Sequence, residues 1–217
     1  MSDREIPSAE VGASTTTMDA LELTCRRFPE GQRRIFRAAI DAFAERGFHA
    51  TSTRDIAARA GLSPAALYVH FPSKEAVLHQ ISVASLGLTR DVAKAASTGP
   101  GSPAERLFAT VRDLTTWHAV HSASVRVVLH HLTDLTPEHR GDVTDIQREI
   151  YRMMRGLLVE GAEAGFDIAD PGATTIAVLS LCVDTARWYT PDYRRAPERI
   201  GEDHAALALR MVGAHRG

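Results

Sequence analysis

The feature that most constrains the fold is a helical pattern of apolar residues that continues through almost the whole chain of 217 residues. Beyond about residue 19, apolar side chains recur three or four positions apart, and no run alternates as a half-buried strand does. Helix starts are marked where a side-chain acceptor precedes a proline, at Ser63-Pro64, Ser102-Pro103, Thr136-Pro137 and Asp170-Pro171. The pattern predicts an all-α fold with about nine helices.

These caps and the intervening glycines divide the chain into segments. The predicted helices span residues 30–46, 52–60, 64–71, 73–96, 103–119, 123–134, 137–164, 171–189 and 197–214. The first three form a small N-terminal bundle, and the later helices form a larger C-terminal one. Residues 1–28 are predicted to be a flexible arm, because a stretch rich in Ser and Thr with few large apolar groups buries too little surface to order itself.

Composition sets the class of protein. Hydrophobic residues make up 44% and charged residues 24%, which is typical of a soluble globular chain. Cys25 and Cys182 are too few and too far apart for a disulfide framework, and no apolar run is long enough to span a membrane. The N-terminus does not resemble a signal peptide. We therefore expect a cytoplasmic protein without a membrane partner.

Charge is uneven along the chain, although 25 basic and 27 acidic residues give a net charge of only −2. Residues 26–80 hold nine Lys or Arg against five Asp or Glu, whereas the first 25 residues hold one against five. The helical segment 26–80 is therefore locally basic. A local positive excess favours contact with a polyanion such as nucleic acid.

Residues 51–75 have the organisation of a helix-turn-helix. Two short helices are separated by Gly61-Leu62-Ser63, in which Gly61 supplies a positive φ, Leu62 enters the core and Ser63 caps the second helix. This arrangement exposes the start of the second helix to a DNA major groove. The predicted DNA-binding residues are Thr51, Ser52, Thr53, Arg54, Ser63, Pro64, Ala65, Ala66, Tyr68, His70 and Lys74. Phosphate donors are expected at Thr51, Thr53, Arg54, Tyr68, His70 and Lys74.

The same stretch resembles the TetR family of bacterial transcriptional regulators. The resemblance is carried by Gly47-Phe48, Thr51-Ser52-x-Arg54-Asp55-Ile56-Ala57, Ala60-Gly61-Leu62-Ser63, Leu67-Tyr68-x-His70-Phe71 and Ser73-Lys74-Glu75. It implies a homodimeric, mostly repressing protein that binds double-stranded operator DNA and releases it when a small molecule enters the C-terminal bundle. The family often has Gly or a basic residue where this chain has Ala65. Direct base contacts there are therefore expected to be few, limited to a thymine methyl group.

The resemblance assigns residues 29–80 to a DNA-binding domain and residues 81–217 to a domain for ligand binding and dimerisation. The predicted pocket residues are Phe108, Trp117, His118, His121, Val128, His131, Tyr151, Met154 and Trp188. Ordinary core packing is the competing interpretation of each. Residues 184–191 are similar to a segment of actinobacterial TetR-type repressors that sense acyl- or steroid-derived CoA thioesters, which implies an acyl or CoA-thioester effector.

The C-terminal helices also predict how subunits associate. The helix over 171–189 is apolar nearly all round, with Leu179 and Val183 among its apolar residues, and the last helix has an apolar side that includes Leu207 and Met211. Two such helices from each subunit would form a four-helix dimer interface.

Other classes of function have less support from the residues. The helical histidine pairs lack the Cys or carboxylate partners of a metal site, and no catalytic signature or phosphate-binding glycine loop occurs, so neither an enzyme nor a cofactor is expected. Two alternatives remain open. One is a DNA-binding regulator without a small-molecule ligand, and the other is a helical binding protein whose helix pair is purely structural.

Overall fold

The computed structural model describes residues 28–214 of the protein, and within that range every regular element is a helix. A 3-10 turn at Leu132–Asp134 separates the sixth and seventh α-helices. The α-helices are α1 (Glu30–Arg46), α2 (Thr53–Arg59), α3 (Pro64–His70), α4 (Lys74–Ser97), α5 (Pro103–Val120), α6 (Ser122–His131), α7 (Pro137–Glu163), α8 (Pro171–Trp188) and α9 (Pro197–Met211). The all-α prediction is confirmed, and most helix bounds lie within two residues of those expected from the sequence.

Side-chain caps explain why the starts of several helices could be predicted from the sequence. The Ser102 hydroxyl accepts a hydrogen bond from the Glu105 amide, and the Glu105 carboxylate accepts one from the Ser102 amide. Together the two bonds form a capping box at the start of α5. The side chains of Thr136 and Asp170 cap α7 and α8. A second capping box, between Ser52 and Asp55, starts α2. The sequence interpretation overlooked this one, although the Ser-x-x-Asp spacing carries the signal.

The first hydrophobic core joins the helix-turn-helix to the rest of the molecule. The completely buried Ile35, Ile56 and Leu67 hold α1, α2 and α3 together. The same core continues into the C-terminal helices through Val127 of α6 and Val143 of α7. Helices α6 and α7 therefore pack directly against the core under the helix-turn-helix.

The second core is organised around α5, which packs against α4, α8 and α9. Cys182 is completely buried within it, and burial raises the pKa of its thiol to about 12, so the thiol stays protonated. Cys25 and the predicted N-terminal arm, except for Phe28, lie outside the described residues. No described helix is long and apolar enough to cross a membrane.

Candidate functional site

The turn between α2 and α3 is held in a defined geometry by its own residues and by α1. Gly61 has a φ of 64°, which lies in the left-handed region that favours glycine. Arg34 of α1 lies against it and donates to the Gly61 carbonyl over 3.1 Å. The Ser63 hydroxyl accepts the Ala66 amide and so starts α3. Arg34 was not among the predicted residues, because nothing in the local sequence links it to a turn 27 positions later.

A continuous exposed surface follows from this geometry. Seven of the predicted DNA-binding residues are exposed or half-buried on α2 and at the start of α3: Ser52, Thr53, Arg54, Ser63, Pro64, Ala65 and Ala66. Tyr68 lies alongside them, and its phenol is 3.0 Å from the Thr53 hydroxyl, so the two helices are joined at their outer surface. The His70 ring packs onto Gly31 of α1, where a Cβ would come within 2.9 Å of Nε2.

Two of the predicted phosphate donors, Thr51 and Lys74, have their donors engaged inside the protein. Thr51 is completely buried, and its hydroxyl donates to the carbonyls of Ala42 and Gly47 inside the domain. The ammonium of Lys74 donates to the carbonyls of Phe48 and Thr51 at 2.7 and 2.8 Å and lies 4.4 Å from the Phe48 ring centroid. Both side chains are bound within the protein, because the turn before α2 leaves backbone carbonyls that need donors. In the structure these interactions stabilise the turn.

A cavity of about 530 Å³ lies inside the C-terminal bundle. Its lining side chains come from five helices and are mostly aliphatic, with neutral polar groups between them and no charged residue. They are Ser85, Leu86, Thr89, Leu114, His118, Val125, Val128, Leu129, Gln147, Ile150, Tyr151, Ile176, Leu179, Ser180 and Val183. Ile176 and Ser180 are also exposed to solvent, so the cavity reaches the surface along α8.

Only three of the nine predicted pocket residues, His118, Val128 and Tyr151, line this cavity. Met154 and Phe108 pack in and against the second core. Trp117 lies behind the wall, where its indole donates to the cavity residue Thr89 over 3.0 Å and its ring lies 3.5 Å from that of His121.

The remaining two pocket predictions lie further away. His131 pairs with Asp134 near the helix-turn-helix. Trp188 is exposed and contacts Tyr193. Helical periodicity identifies which side chains point inward, but it does not identify which of them meet empty space. For this reason it placed Phe108, Met154 and Trp117 in the pocket, although none of them lines the cavity.

Two buried histidines, His118 near the end of α5 and His121 just after it, are kept neutral by their surroundings. Burial lowers the pKa of His118 to about 4, and burial followed by the proximity of His118 lowers that of His121 to about 4. The His118 ring forms a hydrogen bond with the Cys182 backbone, while its Nδ1 has no partner among the described residues. The cavity therefore presents an uncharged polar group within an apolar wall. Elsewhere in the described chain, no three His, Cys, Asp or Glu side chains are placed to hold a metal ion.

A seam of histidines and carboxylates joins the cavity helices to the helix-turn-helix. The Asp134 carboxylate lies 2.9 Å from His131 at the end of α6 and 2.9 Å from His49 in the turn before α2. Glu75 of α4 accepts hydrogen bonds from the Thr136 amide at 3.0 Å and from the His139 ring of α7 at 2.8 Å. Since α4 and α6 both line the cavity, each connects its wall to the DNA-binding segment.

Comparison with known proteins decides the family. Residues 35–81 match the description "Bacterial regulatory proteins, tetR family", and residues 100–212 match "Tetracyclin repressor-like, C-terminal domain". The chain belongs to the TetR family. A TetR-family structure from Rhodococcus RHA1 is 37% identical, with a TM-score of 0.81 over 87% of this chain and 100% of that one.

Two further relatives extend the comparison. The transcriptional repressor KstR2 of Mycobacterium tuberculosis is 27% identical over 186 residues, which cover 81% of this chain and 89% of the repressor. AibR, solved in complex with isovaleryl coenzyme A and operator DNA, shares the fold at 24% identity, with a TM-score of 0.74 over 82% of this chain and 97% of AibR. This TetR-family protein is a DNA-binding transcriptional regulator, and TetR-family regulators are not enzymes. The alternative of a purely structural helix pair is thereby set aside.

Proposed function

We propose that this TetR-family regulator is a homodimeric repressor that acts in the cytoplasm and leaves its operator when an apolar, acyl-type molecule enters the C-terminal cavity. The observation that carries the proposal is the cavity itself, which has about 530 Å³ of mostly aliphatic space and no charged lining residue. Such a wall favours an uncharged apolar group and disfavours a multiply cationic one, which would need carboxylates nearby.

The same wall limits how a CoA thioester would bind. The acyl part fits an apolar cavity, but the nucleotide phosphates have no cation among the lining residues and would stay outside. The opening beside Ile176 and Ser180 leaves room for that arrangement. The solved complex of AibR with isovaleryl coenzyme A supports this class of effector for a protein of the same fold.

The proposed release mechanism follows from α4. This helix begins next to the helix-turn-helix at Lys74 and contributes Ser85, Leu86 and Thr89 to the cavity. A ligand that displaces α4 would shift the three N-terminal helices and change the separation of the two reading helices, which must fit half-sites about 34–36 Å apart or a multiple. The ligand must bind the released state more tightly than the DNA-bound state.

The test is a titration of the protein on its own upstream DNA with acyl-CoAs, free fatty acids and steroid-derived acids. Val183→Phe should reduce the response by filling the cavity, whereas Met154→Leu, a conservative change in the core beside it, should respond as wild type does. Operator affinity without ligand should be similar in all three proteins. Cationic dyes serve as the contrasting probe, and release by them alone, or by no probe at all, would favour the alternative of a regulator without an acyl-type effector.

A further inference from the structure

Val69 is the most exposed large apolar side chain in the described part of the protein, at 82%. It lies on α3, which is firmly anchored because Leu67 is completely buried in the first core. Ala65, also exposed, lies four positions earlier and therefore on the same face of the helix. A rigid helix thus presents an apolar ridge to solvent, where it contributes nothing to folding.

The same helix has almost no polar group with which to read a base. Residues 64–70 contain no Arg, Lys, Asn or Gln, the side chains that form paired hydrogen bonds to guanine or adenine. The Tyr68 phenol is bonded to Thr53, and the His70 ring lies against Gly31 of α1. The Ser63 hydroxyl is used as the helix cap. Helix α3 therefore has few side chains that could recognise a base through hydrogen bonds.

We propose that Val69, together with Ala65, recognises operator sequence through the 5-methyl groups of thymine in the major groove. This inference rests on the DNA-binding function, because the family places the second helix of this motif in the groove. The thymine methyl is the apolar group that the major groove displays, and contact with it buries the ridge. The exposed Arg54 on α2 and the net excess of four positive charges over residues 26–80 suit a polyanion around that ridge rather than an apolar protein partner.

The experiment begins with selection of binding sites from random-sequence duplexes by the full-length protein. Each thymine of the selected half-site is then replaced by uracil, which removes the methyl group and leaves base pairing unchanged. At one or two positions per half-site, affinity should fall about fourfold, the factor expected when one buried methyl group is lost. Replacement by 5-methylcytosine paired with guanine should retain much more affinity there than cytosine does, because α3 has few groups to distinguish the other base edges.

Two variants connect the effect to the ridge. Val69→Ala should bind the thymine site more weakly and lose the uracil penalty at the same position, while its thermal melting stays unchanged because the side chain is exposed. Tyr68→Phe is the matched control on the same helix: it removes a hydroxyl from the outer surface, so affinity should fall for all sequences alike and the uracil penalty should persist.

The possible results distinguish a failure of this inference from a failure of the DNA-binding function on which it rests. A selection that enriches no sequence overturns specific DNA binding itself. A selected site at which no thymine depends on its methyl group, or a uracil penalty that is unchanged in Val69→Ala, overturns only the role assigned to Val69.

Discussion

The ammonium group of Lys74 closes the turn that precedes α2. Its three donors point to the carbonyls of Phe48, His49 and Thr51, and its charge lies over the Phe48 ring. The pattern Ser-Lys-Glu at this site predicts a phosphate contact from its charge alone. The structure uses the charge internally, because three carbonyls of one turn converge where only a flexible cation can reach them.

Replacement of Lys74 should therefore affect stability more than salt dependence. Lys74→Ala should lower the free energy of unfolding by about 2 kcal/mol, because it removes charged hydrogen bonds to partly buried carbonyls. The slope of operator affinity against salt concentration should stay unchanged. Arg54→Ala, at an exposed cation on α2, should leave stability unchanged and reduce that slope by roughly one unit. Urea unfolding and operator binding over a salt series measure the two effects, and a reduced slope in Lys74→Ala would restore the phosphate contact.

The neutral His118 makes the fold sensitive to acid. Its pKa is about 4 in the folded protein against 6.5 as the ordinary value, so between these values the unfolded chain binds a proton that the folded one does not. Stability therefore falls as pH drops below 6.5, by about 2 kcal/mol at about pH 5 for this residue alone.

Removing that histidine should weaken the acid sensitivity. His118→Gln should show a smaller difference between its unfolding free energies at neutral and at acidic pH, whereas His130→Gln, at an exposed site, should retain the wild-type difference. Chemical denaturation at the two pH values measures this. An undiminished acid effect in His118→Gln would mean that His118 is not the source.

At the scale of helices, α6 connects the cavity to the turn before α2. Val125, Val128 and Leu129 line the cavity, and His131 at the end of the same helix shares the Asp134 carboxylate with His49. Asp134→Asn removes the negative charge from this connection. It should reduce the factor by which a saturating effector changes operator affinity, while the DNA-free protein binds the effector as tightly as wild type does.

Operator titrations with and without the effector, with isovaleryl coenzyme A as the first probe, give that factor directly. Asp145→Asn is a suitable control, since Asp145 pairs only with the exposed Arg148 of its own helix in the observed contacts. An unchanged factor in Asp134→Asn would show that the Asp134 carboxylate does not carry the coupling.

The helices also show what the sequence can predict and where prediction stops. The start of α5 was predictable because Ser102 and Glu105 complete a capping box within four residues, and the turn at Gly61 because its φ requires glycine. The cavity wall could not be predicted, because Met154 and Leu114 have the same apolar character in the sequence. Only the packing of five helices leaves space beside Leu114 and none beside Met154. The role of Arg34 depends on a contact across 27 positions, which no local pattern records.

For the molecule as a whole, exposed apolar side chains indicate where the subunits of the proposed homodimer would meet. Apart from Tyr68 and Val69 on α3, the large exposed ones in the described chain lie on α8 and α9 or in the connection between them: Ile176, Trp188, Tyr193, Leu207 and Met211. Leu179 and Val183, predicted from the sequence to support the interface, instead line the cavity. Ile176 borders the cavity opening, so the remaining patch, at the end of α8 and on α9, is the surface with the most to gain from burial against a second subunit.

A charge on that patch should separate the subunits. Leu207 is 40% exposed and contributes to the surface of a folded monomer, so Leu207→Asp should leave helix content unchanged while burying an unpaired charge in the dimer. Sedimentation velocity should show monomers, and operator affinity should fall because both half-sites must be bound together. Val69→Asp is the reciprocal control, since it places the same charge on an exposed apolar site of α3. It should lose operator binding and remain a dimer, whereas a dimer that survives Leu207→Asp with full operator affinity would place the interface elsewhere.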